Sequence, residues 1–73
     1  MVKKRLTEQE ERLMELVSLG YNNKEIGERM YISTHSVKSY LAVILKKLGA
    51  VNRTQATYIA FKKNLIPKNL DRD

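Results

Sequence analysis

The 73-residue sequence predicts an all-α fold, a small bundle of four helices. Three observations predict it. Apolar residues recur at helical spacing along most of the chain. Gly20 and Gly49 are placed to end helices, while Thr7, Asn22, Asn23, Ser33 and Asn52 are placed to begin them. No stretch shows sustained apolar–polar alternation or an Asn-Gly turn, so strand signals are poor.

The first helix should begin at Thr7. Thr7 and Glu10 have the spacing of a capping box, and Glu8, Glu10 and Glu11 suit the positive end of the helix dipole. Leu13, Leu16 and Val17 keep one face apolar, and Gly20 supplies the residue just beyond the C-terminus. The second helix should start after Asn22 or Asn23 and cover roughly Lys24 to Met30, with Ile26 and Met30 inward. "YIS" then makes a tight connection to Ser33, the N-cap of a longer third helix. In that helix Val37, Leu41, Ile44 and Leu48 follow a 4-3-4 spacing, the mark of one buried face, and Gly49 stops it. The fourth helix follows Asn52, from about Arg53 to Asn64, with Ala56, Ile59 and Ala60 inward. Pro67 and the polar tail "KNLDRD" end the ordered part. The chain thus reads as a single domain over residues 1–73, with a core over 6–66 and flexible ends. A short helix, a tight turn and a longer helix form a helix-turn-helix.

Composition narrows the function. Cysteine is absent, which excludes a disulfide scaffold and a thiolate zinc site. No apolar run approaches a membrane span, and "MVKKRLTEQEE" lacks the apolar stretch of a signal peptide, so a cytoplasmic location is expected. Charge is unevenly placed. Residues 1–33 hold six basic and six acidic side chains and are neutral; residues 34–73 hold eight basic and two acidic and carry the whole net charge of +6. No acid occurs between Glu28 and Asp71. Such asymmetry points to a negatively charged partner, nucleic acid or an anionic membrane surface.

The third helix gives that asymmetry a location. At 100° per residue, His35, Lys38, Ser39, Ala42 and Lys46 fall opposite the apolar stripe, on a face without a carboxylate. The DNA major groove admits a helix between phosphate walls, so small residues let it sit deep and acids would be repelled. Lys38 suits guanine O6 and N7, Ser39 several bases, and the Ala42 methyl a thymine methyl, with His35 on the same face. Lys24, Thr34 and Ser36 sit at helix starts, which are ready anion sites, and Lys46, Lys47 and Arg53 cluster where the third helix ends and the fourth begins. Together they are placed to hold both backbones of a duplex. Tyr40 lies off the stripe and either reaches a phosphate or covers the core edge. On the fourth helix Thr57, Tyr58 and Phe61 form a candidate self-association surface, with closure of the core as the other role for Phe61. Nothing supports an enzyme. His35 is the only histidine and has no nucleophile or carboxylate partner at useful spacing, no metal-ligand set exists, and there is no Gly-rich phosphate loop. No cofactor is expected.

Beyond these patterns, "LTEQEERLMELVSLGYNNKEIGERMYISTHSVKSYLAVILKKLGAVNRTQA" closely resembles the LuxR/GerE-type helix-turn-helix domain, also the output domain of NarL/FixJ response regulators. The matching marks are Leu6-Thr7, Glu10, Leu13, Leu16, Gly20, Asn23-Lys24-Glu25-Ile26, Ile32-Ser33, Val37-Lys38, Lys47-Leu48-Gly49 and Arg53-Thr54-Gln55-Ala56, spread over about residues 6–66. The resemblance implies a four-helix DNA-binding domain of bacterial transcription regulators, in which the third helix reads bases and the fourth forms a dimer. Carried over by position, Lys38, Ser39 and Ala42 would face bases, and Lys24, Thr34, Ser36, Tyr40, Lys46 and Arg53 would hold backbone. The sequence departs from the family at Gln9, where Arg is usual, at Tyr40, where His is frequent, and at Ala42, where some members carry a longer polar or basic side chain. Gly27 stands for a usual Ala, at a helix-propensity cost of about 1 kcal/mol. Most members carry a further sensor or receiver domain, so the chain is expected to be either a short stand-alone regulator like GerE, which the Met1 start and short N-terminus favour, or a fragment of a larger regulator. The expected partners are double-stranded DNA and a second copy of the chain, with RNA polymerase a further one, and no membrane. The alternative is a protein-interaction module of the same fold that binds another regulator through its fourth helix. An RNA-binding domain fits the charge but lacks a stacking platform.

Overall fold

The structure, a computed structural model, describes residues 6–63. These form four helices in chain order, α1 (Glu8–Ser18), α2 (Asn23–Met30), α3 (Thr34–Leu48) and α4 (Arg53–Lys62). Among the described residues there is no strand. The expected fourth-helix end at Asn64, Pro67 and the polar tail lie outside the described residues.

Local chemistry fixes each boundary. Thr7 caps α1 with a reciprocal box: its hydroxyl accepts the Glu10 N–H at 3.1 Å, and the Glu10 carboxylate accepts the Thr7 N–H at 2.9 Å. At the other end Gly20, at φ +93°, lets Tyr21 N–H bond back to Leu16 and Gly20 N–H to Val17, which satisfies the last carbonyls. Asn22, not Asn23, caps α2, in a second box with Glu25. Ser33 caps α3, and Asn52 caps α4 through the Gln55 N–H. Gly49, at φ +69°, ends α3.

The connection between α2 and α3 is a close turn. Tyr31 ends α2 in the left-handed region at φ 60°, the only non-glycine among the described residues to do so. The chain then doubles back so closely that a Cβ on Gly27 would lie 2.6 Å from the Ile32 carbonyl oxygen. Gly27 costs α2 helix propensity, as expected, and the same missing methyl admits the turn.

α1 and α3 each pack on all three other helices, and α2 and α4 pack on both of them. The core joins Leu13, Met14, Leu16 and Val17 of α1 to Ile26, to Val37, Leu41 and Ile44, and to Ala56 and Ala60, with Leu6 over one end. Leu48 and Met30 are half-buried against this core, and so is Phe61. Ile59, expected inward, is half-buried outside the core cluster.

One polar contact crosses the core edge. Glu10 is 8% exposed, and its carboxylate accepts two hydrogen bonds from the Lys47 ammonium, at 2.8 and 3.1 Å. It therefore serves the cap of α1 and the last turn of α3 together. Burial pushes the Glu10 carboxyl up, but the Lys47 hydrogen bond, the Thr7 N–H, the Lys47 charge and the Thr7 hydroxyl outweigh it, leaving the pKa below its ordinary 4.5.

Candidate nucleic-acid interface

Because Val37, Leu41 and Ile44 are buried, the opposite side of α3 must face outward. His35, Lys38, Ser39, Ala42 and Lys46 are all exposed there. No residue of α3 is acidic, and no hydrogen bond or ion pair engages the Lys38 or Lys46 side chain among the described residues. Two lysines, a histidine, a hydroxyl and a methyl thus share one unobstructed surface.

The flanks are more differentiated than the sequence suggested. At the start of α3, Thr34 is exposed, while Ser36 is half-buried and its hydroxyl takes a hydrogen bond from Ser33 at 3.1 Å. Lys24 is exposed at the start of α2. Arg53, at the start of α4, is half-buried, and its Nη2 donates to Asn23 Oδ1 at 2.6 Å. This bond ties the beginnings of α2 and α4 together. Two residues 30 positions apart give no sequence signal of such a pair. Lys47 is placed differently from Lys46, since its ammonium is held by Glu10. Tyr40 is half-buried and packs against the core, the second of the two roles open to it.

The three residues considered for self-association also separate. Thr57 is half-buried and its hydroxyl donates to the Arg53 carbonyl at 2.9 Å, and Phe61 packs against the core. Tyr58 is 62% exposed, with the Lys62 ammonium 5.9 Å from its ring centre. Val51, just before α4, is 80% exposed.

Val43 was not anticipated. It is the one large apolar side chain of α3 that is strongly exposed. A helical wheel would have found it, because it lies about 40° from Ser39, four residues earlier, and far from the buried stripe. A shallow cleft lined by Glu8, Gln9, Arg12, Arg29, Met30 and Tyr31 contains none of the residues of the α3 outer face.

A four-helix, helix-turn-helix fold with a basic, carboxylate-free third helix defines a class that comparison with known proteins makes specific. Residues 4–60 match the family of bacterial regulatory proteins known as the luxR family, or GerE. The chain belongs to that family and is a LuxR-type helix-turn-helix DNA-binding domain of transcription regulators. The response regulator protein VraR of Staphylococcus aureus and that of Staphylococcus epidermidis are each 43% identical to it over 61 residues, 84% of this chain and 29% of theirs. The chain therefore spans under a third of the length of the curated relatives it matches. The solved structure of the transcription factor GerE superposes with a TM-score of 0.83 at 27% identity, over 90% of this chain and 96% of that one. A Vibrio cholera VqmA–ligand–DNA complex superposes at 0.80 with 29% identity, over all of this chain and 34% of VqmA. Among the described residues no helix is long and apolar enough to cross a membrane.

Proposed function

We propose that this domain binds double-stranded DNA sequence-specifically with α3 in the major groove, and does so as a homodimer through α4. The observation that carries the proposal is the outer face of α3: five exposed residues, two of them cationic, on a helix without a carboxylate. Lys38, Ser39, Ala42 and His35 are the base-facing set. Lys24, Thr34, Ser36, Lys46 and Arg53 are the backbone-holding set, with Arg53 oriented by Asn23. Lys47 has a smaller part, because contact with a phosphate would compete with a 2.8 Å bond to Glu10. Tyr40, packed on the core, reaches a phosphate only with its hydroxyl. That VqmA was solved with DNA supports nucleic acid as the partner of this fold.

For the dimer, Tyr58 is the exposed aromatic of α4, with exposed Val51 just before the helix. Dimerisation has a physical purpose, since paired helix-turn-helix units engage half-sites about 10–10.5 base pairs apart. Acting through such sites, the domain would control transcription, with RNA polymerase as a further partner. The same exposed pair supports a second reading, in which α4 binds another regulator and DNA binding is weak. Selection of bound sites from random duplex DNA separates the two. The first reading yields two related half-sites one helical turn apart; binding no tighter than to random duplex favours the second.

A further inference from the structure

We infer that Val43 is a specificity-determining residue of this domain, one that recognises the C5-methyl group of a thymine in the major groove. The inference rests on the proposal that α3 lies in that groove, and concerns what the helix reads there. Val43 is 46% exposed on a helix whose other large apolar side chains are buried or half-buried against the core. It is four residues beyond Ser39 and three before Lys46, the spacings at which helical side chains are neighbours, and so it adjoins the carboxylate-free face. Exposed Ala42 is beside it in the chain, and the two supply adjoining apolar surface between Ser39 and Lys46.

The chemistry of the groove limits what such a pair can recognise. Guanine, cytosine and adenine present hydrogen-bonding groups on their major-groove edges, whereas thymine alone adds a methyl group. An alkyl side chain offers neither donor nor acceptor, so it is suited to that methyl and unsuited to a polar edge, which it would desolvate without compensation. Valine fits the task better than a longer alkyl chain. Its branched Cβ holds one rotamer in a helix, so its methyls are fixed before DNA arrives and little side-chain entropy is lost on binding. In an exposed helical position the same branching has a cost in helix propensity. The advance per residue places Val43 about 6 Å along the axis from Ser39.

The test uses a duplex selected from random sequence by this chain, and the same duplex with each thymine replaced singly by deoxyuridine, which removes the methyl alone. Binding of the unaltered chain and of Val43→Ala is titrated against every member of the series. One replacement per half-site should weaken the unaltered chain about fourfold, as expected for one buried methyl group. Val43→Ala should bind the selected duplex more weakly and be indifferent to that same replacement. At that position 5-methylcytosine should be bound better than cytosine by the unaltered chain and equally by the variant. A series in which no replacement has a Val43-dependent effect, or a selected half-site without thymine, would overturn the inference while leaving groove binding by α3 intact. No preference for the selected duplex over random sequence would overturn the groove-binding proposal, and this inference with it. Val43 is outside the core, so matching thermal melting of the two proteins verifies that the comparison is between folded chains.

Discussion

Glu10 is the residue whose replacement most clearly separates local from tertiary stabilisation. Its carboxylate closes the capping box with Thr7 at 2.9 Å and holds the Lys47 ammonium at 2.8 and 3.1 Å, while only 8% of the residue is exposed. Glu10→Gln keeps an oxygen for the Thr7 N–H and loses the charge. A charge-assisted hydrogen bond contributes about 1.5–3 kcal/mol against about 1 for a neutral one, so Glu10→Gln should cost about 1–2 kcal/mol. Glu10→Ala also removes the reciprocal half of the cap and should cost about 2–3 kcal/mol. Lys47→Met leaves the carboxylate buried without its cation and should cost about as much as Glu10→Gln or more. The double variant of Glu10→Gln with Lys47→Met removes both charges and, with the wild type and these two singles, makes four proteins; it should be less destabilised than the sum of the singles, by a coupling of about 1 kcal/mol. Urea denaturation of the four proteins reads the cycle.

The sign of the pH dependence follows from the same contact. The Glu10 pKa is lower folded than unfolded, so the unfolded chain takes up the proton first as pH falls. The pair's contribution is fully present above the ordinary value of 4.5 and fades as pH drops through the lower folded value. Glu10→Gln should flatten that part of the stability profile. A coupling within error of zero, or an unchanged acid limb in Glu10→Gln, would refute the assignment of Glu10 and Lys47 as one interaction. For a domain this small, 1–2 kcal/mol is a large share of the total, so the cycle is readily measured.

Three further outcomes are expected. Arg53→Ala should weaken binding to specific and random duplex alike and reduce the salt slope by roughly one phosphate contact, read by titration at several salt concentrations; an unchanged slope would remove Arg53 from the backbone-holding set. Gly27→Ala should destabilise the domain in urea melts, because a Cβ 2.6 Å from the Ile32 backbone carbonyl oxygen forces the turn to move and outweighs the roughly 1 kcal/mol that helix propensity offers; a net gain would show that the turn yields freely. Tyr58→Glu should shift the chain towards monomer in sedimentation on operator DNA without loss of thermal stability, since Tyr58 is outside the core cluster; unchanged assembly would move the dimer surface off α4.

The sequence carried the helix ends more fully than the contacts between helices. Thr7, Ser33 and Asn52 cap where they were expected, because a cap is a bond to a backbone N–H three residues on and its signal is equally local. The buried stripe of α3 was legible for the same reason. Met14 and Leu6 were missed: α1 is enclosed by three helices and buries a wider arc than the stripe its spacing suggested. The Glu10–Lys47 and Asn23–Arg53 pairs span 37 and 30 residues, and only the packed fold brings their partners together. From the sequence Glu10 accordingly reads as a cap and dipole partner of the first helix, and Lys47 as one of the cations placed to hold a duplex backbone. Tyr31 carries no mark of a left-handed residue, since tyrosine is not a type that favours it; the tightness of the turn imposes that conformation. Phe61 has two open roles on the wheel, and in the structure it is half-buried against the core.

The contact of α3 with base edges is tested most directly by Lys38→Ala, measured in parallel on the selected duplex and on random duplex at one salt concentration. Lys38 is exposed and unpaired among the described residues, so its loss should leave the fold unchanged. Specific binding should weaken by about 1–3 kcal/mol, and the selected base opposite Lys38 should become replaceable. Equal weakening on both duplexes, with base preference intact, would contradict base reading by α3 and leave Lys38 a phosphate contact.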